Sequence, residues 1–246
     1  MNRATPTYWA IMPAAGVGQR MNSHRPKQYL PLLGKTVIEH SLERLLALPE
    51  IEAVLVVTNA EDKIWPSLAI SRDPRIETVS GGNERHRSVF NGMLALDNRA
   101  DGSDWVLVHD AVRPCVTVDS IRNLMEQLAG HEVGGVLGYR LSDTLKKINP
   151  ELGVEATLDR NAVWAAATPQ MFRYGLLRKA LARQVEVGSA PTDEAMAVEQ
   201  LNLQPQMVAG SRDNIKITVV DDLRLAELIL QARNSRPPTP QSKAEC

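Results

Sequence analysis

Two cations open the reading. Arg20 lies inside the glycine-containing stretch PAAGVGQRM, Pro13 to Met21, and Lys27 follows six residues after its end. Between them runs Asn22-Ser-His-Arg-Pro26, whose proline disfavours a regular helix and leaves backbone N–H groups for a ligand. Backbone donors plus two positive charges suit a triphosphate attacked at phosphorus, where a protein's task is positioning and neutralising developing charge. Taken singly, the loop also reads as a tight connection and the cations as a solvated basic face.

Two more stretches carry similar chemistry. SGGNERHRS, Ser80 to Ser88, pairs glycines that allow close backbone approach with Arg85 and Ser88, which lie one helical turn apart. Its plainer reading is a strand-to-helix turn capped by Asn83. His109-Asp110-Ala-Val-Arg113-Pro114 places a carboxylate where a strand ends, suited to Mg²⁺ that keeps most of its ligands from water and phosphate. Arg113 could take a second phosphate through its planar fork. Asp110 as a turn cap and Arg113 as a surface pair are the alternatives. His109 has no catalytic partner in the sequence and reads as structural.

The elements that must position these loops are legible as hydrophobic periodicity. Trp9–Met12, Ala53–Thr58, Ile76–Val79 and Trp105–His109 read as strands, the longer ones near-continuously apolar as in a sheet buried on both faces. Helices are expected over Glu61–Ile70, from about Glu84 to Leu96, over Val118–Leu128, near Tyr174, from Thr192, and over Val220–Ala232. Thr36-Val-Ile-Glu39 has the capping-box pattern and precedes a helix with Val37, Ile38, Ser41, Leu42, Leu45 and Leu46 on one face. Alternating strands and helices predict an α/β fold with a mostly parallel sheet, and its ligand loops meet at the strands' carboxyl ends. After Gly134 the segments Val136–Tyr139, Thr144–Ile148 and Val154–Leu158 are too short for crossover helices and read as an antiparallel excursion. A last strand is expected over Asn214–Thr218. The polar, proline-rich stretch 234–246 reads as a disordered tail behind a single domain of residues 1–233.

Composition narrows the function. With 28 Lys plus Arg against 29 Asp plus Glu, the net charge of −1 favours neither nucleic acid nor acidic lipid as a partner. Two cysteines, Cys115 and Cys246, make neither a disulfide framework nor a metal set, so a reducing cytoplasm is the expected compartment. No apolar run is long enough to span a membrane. The glycine loop also fails the dinucleotide fingerprint, because Met21 stands where the third glycine belongs, and it lacks the Walker lysine.

Taken together, PAAGVGQRM with Pro26-Lys-Gln-Tyr29, GGNERHRSV and VHDAVRP resemble the 2-C-methyl-D-erythritol 4-phosphate cytidylyltransferase family. Asp143-Thr-Leu-Lys146, Asp159-Arg-Asn161, Thr168-Pro-Gln170, Thr192-Asp-Glu194 and Asp213-Asn-Ile-Lys216 extend the likeness over roughly residues 8 to 232. The resemblance implies a Rossmann-like three-layer nucleotidyltransferase fold with a protruding β-arm at about residues 138–163. It implies conversion of CTP and methylerythritol 4-phosphate to CDP-methylerythritol and pyrophosphate in the non-mevalonate isoprenoid pathway. By the same likeness Arg20 and Lys27 are catalytic, and Pro13, Ala14, Ala15, Gly16 and Gly18 hold the triphosphate. Gly82, Asn83, Arg85 and Ser88 surround cytidine, while Asp110 and Lys216 approach the phosphates and a divalent metal, Mg²⁺. The sugar phosphate falls to Asp110, Arg113, Thr144, Arg160, Thr168 and Thr192. Arg160 would reach the partner subunit's site, which implies a homodimer with exchanged arms. Asn83 stands where family members often carry aspartate. The neighbouring alternative is a cytidylyltransferase for ribitol 5-phosphate or a related polyol phosphate. A nicotinamide-dependent oxidoreductase lacks its glycine and acid here, and a non-catalytic nucleotide-binding module leaves the second set of anion-binding residues without a purpose.

Overall fold

Strand β1 (Tyr8–Pro13) runs through the middle of the sheet in a computed structural model that describes residues 5–16 and 25–235. Two short strands, β2 (Pro31–Leu32) and β3 (Lys35–Thr36), lead into α1 (Val37–Leu46). The chain continues through β4 (Ile51–Thr58), β5 (Ile76–Ser80), α2 (Arg85–Leu94), β6 (Trp105–Val108), α3 (Val118–Leu128) and β7 (Gly134–Arg140). Then come β8 (Lys146–Ile148), β9 (Val154–Thr157), β10 (Trp164–Arg173), α4 (Tyr174–Val187), α5 (Glu194–Glu199), β11 (Gln206–Ala209) and α6 (Val220–Asn234).

The main sheet has the order β11-β7-β10-β6-β1-β4-β5. Its neighbours are parallel except at β10, which runs antiparallel to both β6 and β7. Alternate side chains of β1 serve opposite faces, as a pleated strand requires. Ala10 and Met12 pack with Ile38, Leu42, Leu45, Ile121 and Leu124, so α1 and α3 cover one face. Trp9 and Ile11 pack with Val89, Met93, Leu177, Leu181 and Val198, so α2, α4 and α5 cover the other. The three-layer α/β expectation is met. A third apolar cluster, Leu32, Val37, Val112, Cys115, Ile217, Ala226 and Leu230, seats α6 beside the β2–β3 hairpin.

Local signals explain several boundaries. The Glu39 carboxylate accepts both the N–H and the hydroxyl of Thr36 at 2.7 Å, which starts α1 as the capping pattern predicts. The Thr117 hydroxyl accepts the Ser120 N–H at 3.1 Å, and α3 begins at the expected residue. α6 continues two residues past its expected end, to Asn234.

Three expectations need correction. Glu61–Ile70 is not an α-helix. The Asp62 carboxylate collects the N–H groups of Ile64 and Trp65, Pro66 has no N–H to give, and two short 3₁₀ turns form at Trp65–Ser67 and Ala69–Arg72. Asn214–Thr218 is not a strand. Ile217 is buried as its alternating pattern indicates, but its N–H donates to the Val112 carbonyl at 2.9 Å, so the partner is a loop. Val136–Tyr139 belongs to β7 of the main sheet, whereas β8 and β9 alone form a separate two-stranded antiparallel hairpin with exposed residues. The tail past Ser235 lies outside the described residues.

Candidate active site

The three loops after β1, β5 and β6 line one cavity of about 190 Å³. The first is described from Ala14 to Gly16 and again from residue 25. Ala14 still pairs with the sheet, donating its N–H to the Val57 carbonyl at 2.8 Å. Gln28, buried in a short 3₁₀ turn, donates its amide to the carbonyls of Ala14 and Gly16 at 2.8 and 3.1 Å. Those two bonds hold Ala14 and Gly16 beside Gln28 in the cavity wall. Pro13, Ala14, Ala15, Gly16 and Lys27 all line the cavity as expected, while Gly18 and Arg20 lie outside the described residues.

The second loop presses against the first. A Cβ at Gly81 would stand 2.5 Å from the Ala15 Cβ, so only glycine permits this approach. Gly82, Asn83, Arg85 and Ser88 line the same cavity. The Ser88 hydroxyl accepts the Gly82 N–H and donates to the Glu84 carbonyl, both at 3.1 Å, which fixes the loop from within. α2 is capped at Glu84 rather than Asn83, whose exposed side chain makes no capping bond.

Asp110 is the electrostatic centre. It is 5% exposed and accepts from Arg85 Nε at 3.1 Å, Lys216 Nζ at 2.9 Å and, more weakly, Arg113 Nε at 3.4 Å. Burial alone would raise its pKa, but the charges of Arg85, Lys216 and Arg113 hold it well below the ordinary carboxylate range. It is therefore a fixed anion that orients cations and cannot trade protons near neutrality. Arg85 turns the rest of its fork to Glu194, at 2.6 and 3.1 Å. Burial of Arg85 opposes its charge, and Glu194 and Asp110 outweigh that and raise its pKa.

A second cavity of about 170 Å³ adjoins the first and shares Arg85, Asp110 and Lys216 with it. Arg113, Thr168 and Thr192 line this second space. Two of them are occupied by structural bonds. Arg113 Nη1 donates to the Asn214 carbonyl at 2.7 Å. The Thr168 hydroxyl meets the Asp110 N–H and His109 Nδ1, each at 3.0 Å. Thr144 and Arg160 line neither cavity. Both are exposed beside the β8–β9 hairpin, and Arg160 donates to the Ser142 carbonyl at 2.7 Å.

Gln28, Gln170, Glu194 and Asn214 were given no role from sequence, although each sits in a motif. Gln170 donates to the Asp193 carboxylate and accepts the Ala195 N–H, both at 2.9 Å, so it pins the first turn of α5 to β10. The Asn214 amide donates to the Thr168 carbonyl at 2.8 Å and holds the segment bearing Lys216 over the strand ends. The available signal was that these amides and carboxylates fall within otherwise functional stretches.

A resident metal finds little here. Among the described residues no three His, Cys, Asp or Glu side chains group together, and the Asp110 carboxylate is already taken by three cations.

The family model for 2-C-methyl-D-erythritol 4-phosphate cytidylyltransferase matches residues 8–232. The chain belongs to that family. A cytidylyltransferase of this name from Hahella chejuensis is 47% identical over 223 residues, covering 91% of this chain and 92% of its own. One from Vibrio vulnificus is 44% identical, covering 96% of this chain and all of its own. The crystal structure of the Francisella tularensis 2-C-methyl-D-erythritol 4-phosphate cytidylyltransferase superposes with a TM-score of 0.78 at 37% identity, covering 91% of this chain and 99% of that one. The family fold is therefore this chain's fold, and the residues gathered around Asp110 come from the stretches that carry the family likeness.

Proposed function

We propose that this cytidylyltransferase-family chain joins the cytidylyl group of CTP to 2-C-methyl-D-erythritol 4-phosphate, releasing pyrophosphate. The observation that carries this reading is the shared wall of two cavities. One is lined by Ala14 to Gly16 and Lys27, one by Arg113 and Thr192, and Arg85, Asp110 and Lys216 are common to both. Such a plan suits two anions brought to one contact point.

In the reaction, a phosphate oxygen of the acceptor forms a bond to the α-phosphorus of CTP. The bond from that phosphorus to the bridging oxygen of the β-phosphate breaks, and its electron pair leaves on pyrophosphate. The acceptor needs no general base, because a phosphate monoester with a second pKa of about 6 is already ionised at neutral pH. This agrees with Asp110 being held as a permanent anion and with His109 being buried away from both cavities. The chain's task is then electrostatic. Backbone of Ala14 to Gly16 holds the triphosphate, Lys27 and Arg20 neutralise charge that builds at the α-phosphorus, and Lys216 faces both substrates. Gly82, Asn83, Arg85 and Ser88 form the cytidine side.

Mg²⁺ is proposed to arrive on the phosphates of CTP, as an ion that keeps its waters and substrate oxygens would. Arg160 and Thr144, which line neither cavity of their own chain, are proposed to serve the site of a second copy in a homodimer with exchanged hairpins. The exposed Ile148, Leu152, Val154 and Leu158 give that hairpin the apolar surface such an exchange needs. A cytoplasmic location accords with the substrates; among the described residues no helix is long and apolar enough to cross a membrane.

The test is pyrophosphate release with Mg²⁺, offering CTP, ATP, GTP or UTP against methylerythritol 4-phosphate or ribitol 5-phosphate. Release with CTP and methylerythritol 4-phosphate alone is expected. Release with ribitol 5-phosphate instead would overturn the acceptor, and silence with every pair would overturn the reading.

A further inference from the structure

Arg85 and Glu194 are the first residues of two different helices, α2 and α5. Immediately before α2, Gly82 and Asn83 line the nucleotide-side cavity. Immediately before α5, Thr192 and Asp193 line the acceptor-side cavity. The bidentate bond from Arg85 to Glu194, at 2.6 and 3.1 Å, therefore ties the rim of one cavity to the rim of the other. The Glu194 side chain is 1% exposed and the Arg85 side chain 28%, so the carboxylate end of the pair is shielded from competing water. Arg85 spends both terminal nitrogens on Glu194 and turns Nε to Asp110, at the wall both cavities share. Gln170 pins the same turn of α5, accepting from Ala195 and donating to Asp193, so the Glu194 carboxylate is presented to Arg85 from a fixed place.

We propose that Glu194 is a positioning residue that, through Arg85, makes filling of the nucleotide cavity tighten binding in the acceptor cavity. The proposal rests on the cytidylyltransferase reading above. A ligand that settles Gly82 and Asn83 fixes the start of α2 and with it the Arg85 fork. The fork then holds Glu194, and with it the Thr192–Asp193 rim, in the place the acceptor needs. By linkage the acceptor tightens nucleotide binding by the same factor.

The experiment is calorimetric titration of methylerythritol 4-phosphate into the full chain with Mg²⁺, with and without a saturating CTP analogue bearing a methylene bridge between the α and β phosphorus atoms. In the unaltered protein the analogue should tighten acceptor binding by about fivefold or more. In Glu194→Gln, which keeps shape and removes the charge, that factor should fall below about twofold while each ligand still binds alone. Glu194→Asp keeps the charge, shortens the side chain so that the bidentate bond cannot form, and should lose coupling in the same way. A purely structural Glu194 would lower the melting temperature and leave the coupling factor intact, and that result overturns the inference. Should Glu194→Gln fail to fold, Glu194→Asp decides by the same criterion. An unaltered protein that binds both ligands without coupling sinks this inference alone, whereas one that binds neither sinks the cytidylyltransferase reading with it.

Discussion

Thr168 stands between Asp110 and His109, and its one hydroxyl serves both. The directions follow from the partners. The Arg113 carbonyl can only accept, so His109 Nε2 carries the proton in its 3.3 Å contact. Nδ1 of a neutral imidazole must then accept the Thr168 O–H, and the Thr168 oxygen accepts the Asp110 N–H. A residue expected to touch the acceptor also fixes the backbone of the central carboxylate. Thr168→Val keeps the shape and leaves two buried polar groups unpaired, a loss of about 1–3 kcal/mol. The variant should unfold at lower urea than Thr168→Ser and have lower kcat/KM for both substrates. A Val variant whose KM rises for the acceptor alone would return the hydroxyl to direct binding.

His109 also sets a pH dependence. Burial, only partly offset by Asp110, pushes its pKa down to about 4, below the ordinary 6.5. The unfolded chain therefore takes up a proton that the folded chain refuses. Stability from this group is full above about pH 6.5, falls as pH drops, and stops falling below about pH 4. The span corresponds to about 3 kcal/mol at most. His86, lowered by burial and close to Glu84, titrates in an overlapping window. The informative quantity is thus the difference between the unaltered protein and His109→Asn, followed as the urea midpoint from pH 7 to pH 4. Parallel curves would remove His109 as the cause.

Lys27 lines the nucleotide cavity, and in the proposed reaction it acts only on charge that develops at the α-phosphorus. Removing such a group lowers kcat by roughly 10²–10³-fold with the fold intact. Lys27→Ala should do this with an unchanged melting curve. Arg20→Ala is expected to behave alike on the strength of the family likeness. Near-normal turnover in either variant, measured as pyrophosphate release at saturating substrates, would take that residue out of the chemistry.

Much of this was legible in sequence because the signals were local. Apolar runs such as Ala53–Thr58 and the Thr36–Glu39 cap act over a few residues, and each formed where expected. β10 was not legible. Its Ala-rich start offers no alternation, and Pro169 argues against a central strand. The structure accommodates the proline where pairing with β7 breaks, between Ala166 and Gln170. β11, short and exposed at the sheet edge, gave no apolar run to read. The site divides in the same way. Which loops meet was predictable from strand ends, whereas the Arg85–Glu194 and Asn214–Thr168 bonds join residues far apart in sequence. No spacing rule reaches across such distances, so the sequence shows neither the bonds that hold Arg85 nor those that hold Thr168.

Arg160 supplies the test of assembly. It lines neither cavity of its own chain and is turned to Ser142 at the base of its hairpin. If it completes a second copy's site, Arg160→Ala should raise KM for the sugar phosphate and change kcat little, since it removes binding rather than charge at the α-phosphorus. Mixing Arg160→Ala with Lys27→Ala then has a definite outcome. In a heterodimer with exchanged hairpins, one site collects both defects and the other collects none, so activity should reappear although each parent is impaired. With hairpins serving their own chain, every site would carry one defect and mixing would restore nothing. Subunits exchanged under mild denaturant, with heterodimers isolated by two different affinity tags, separate these cases. Recovery to one working site per dimer supports the exchange, and its absence in verified heterodimers returns Arg160 to its own chain.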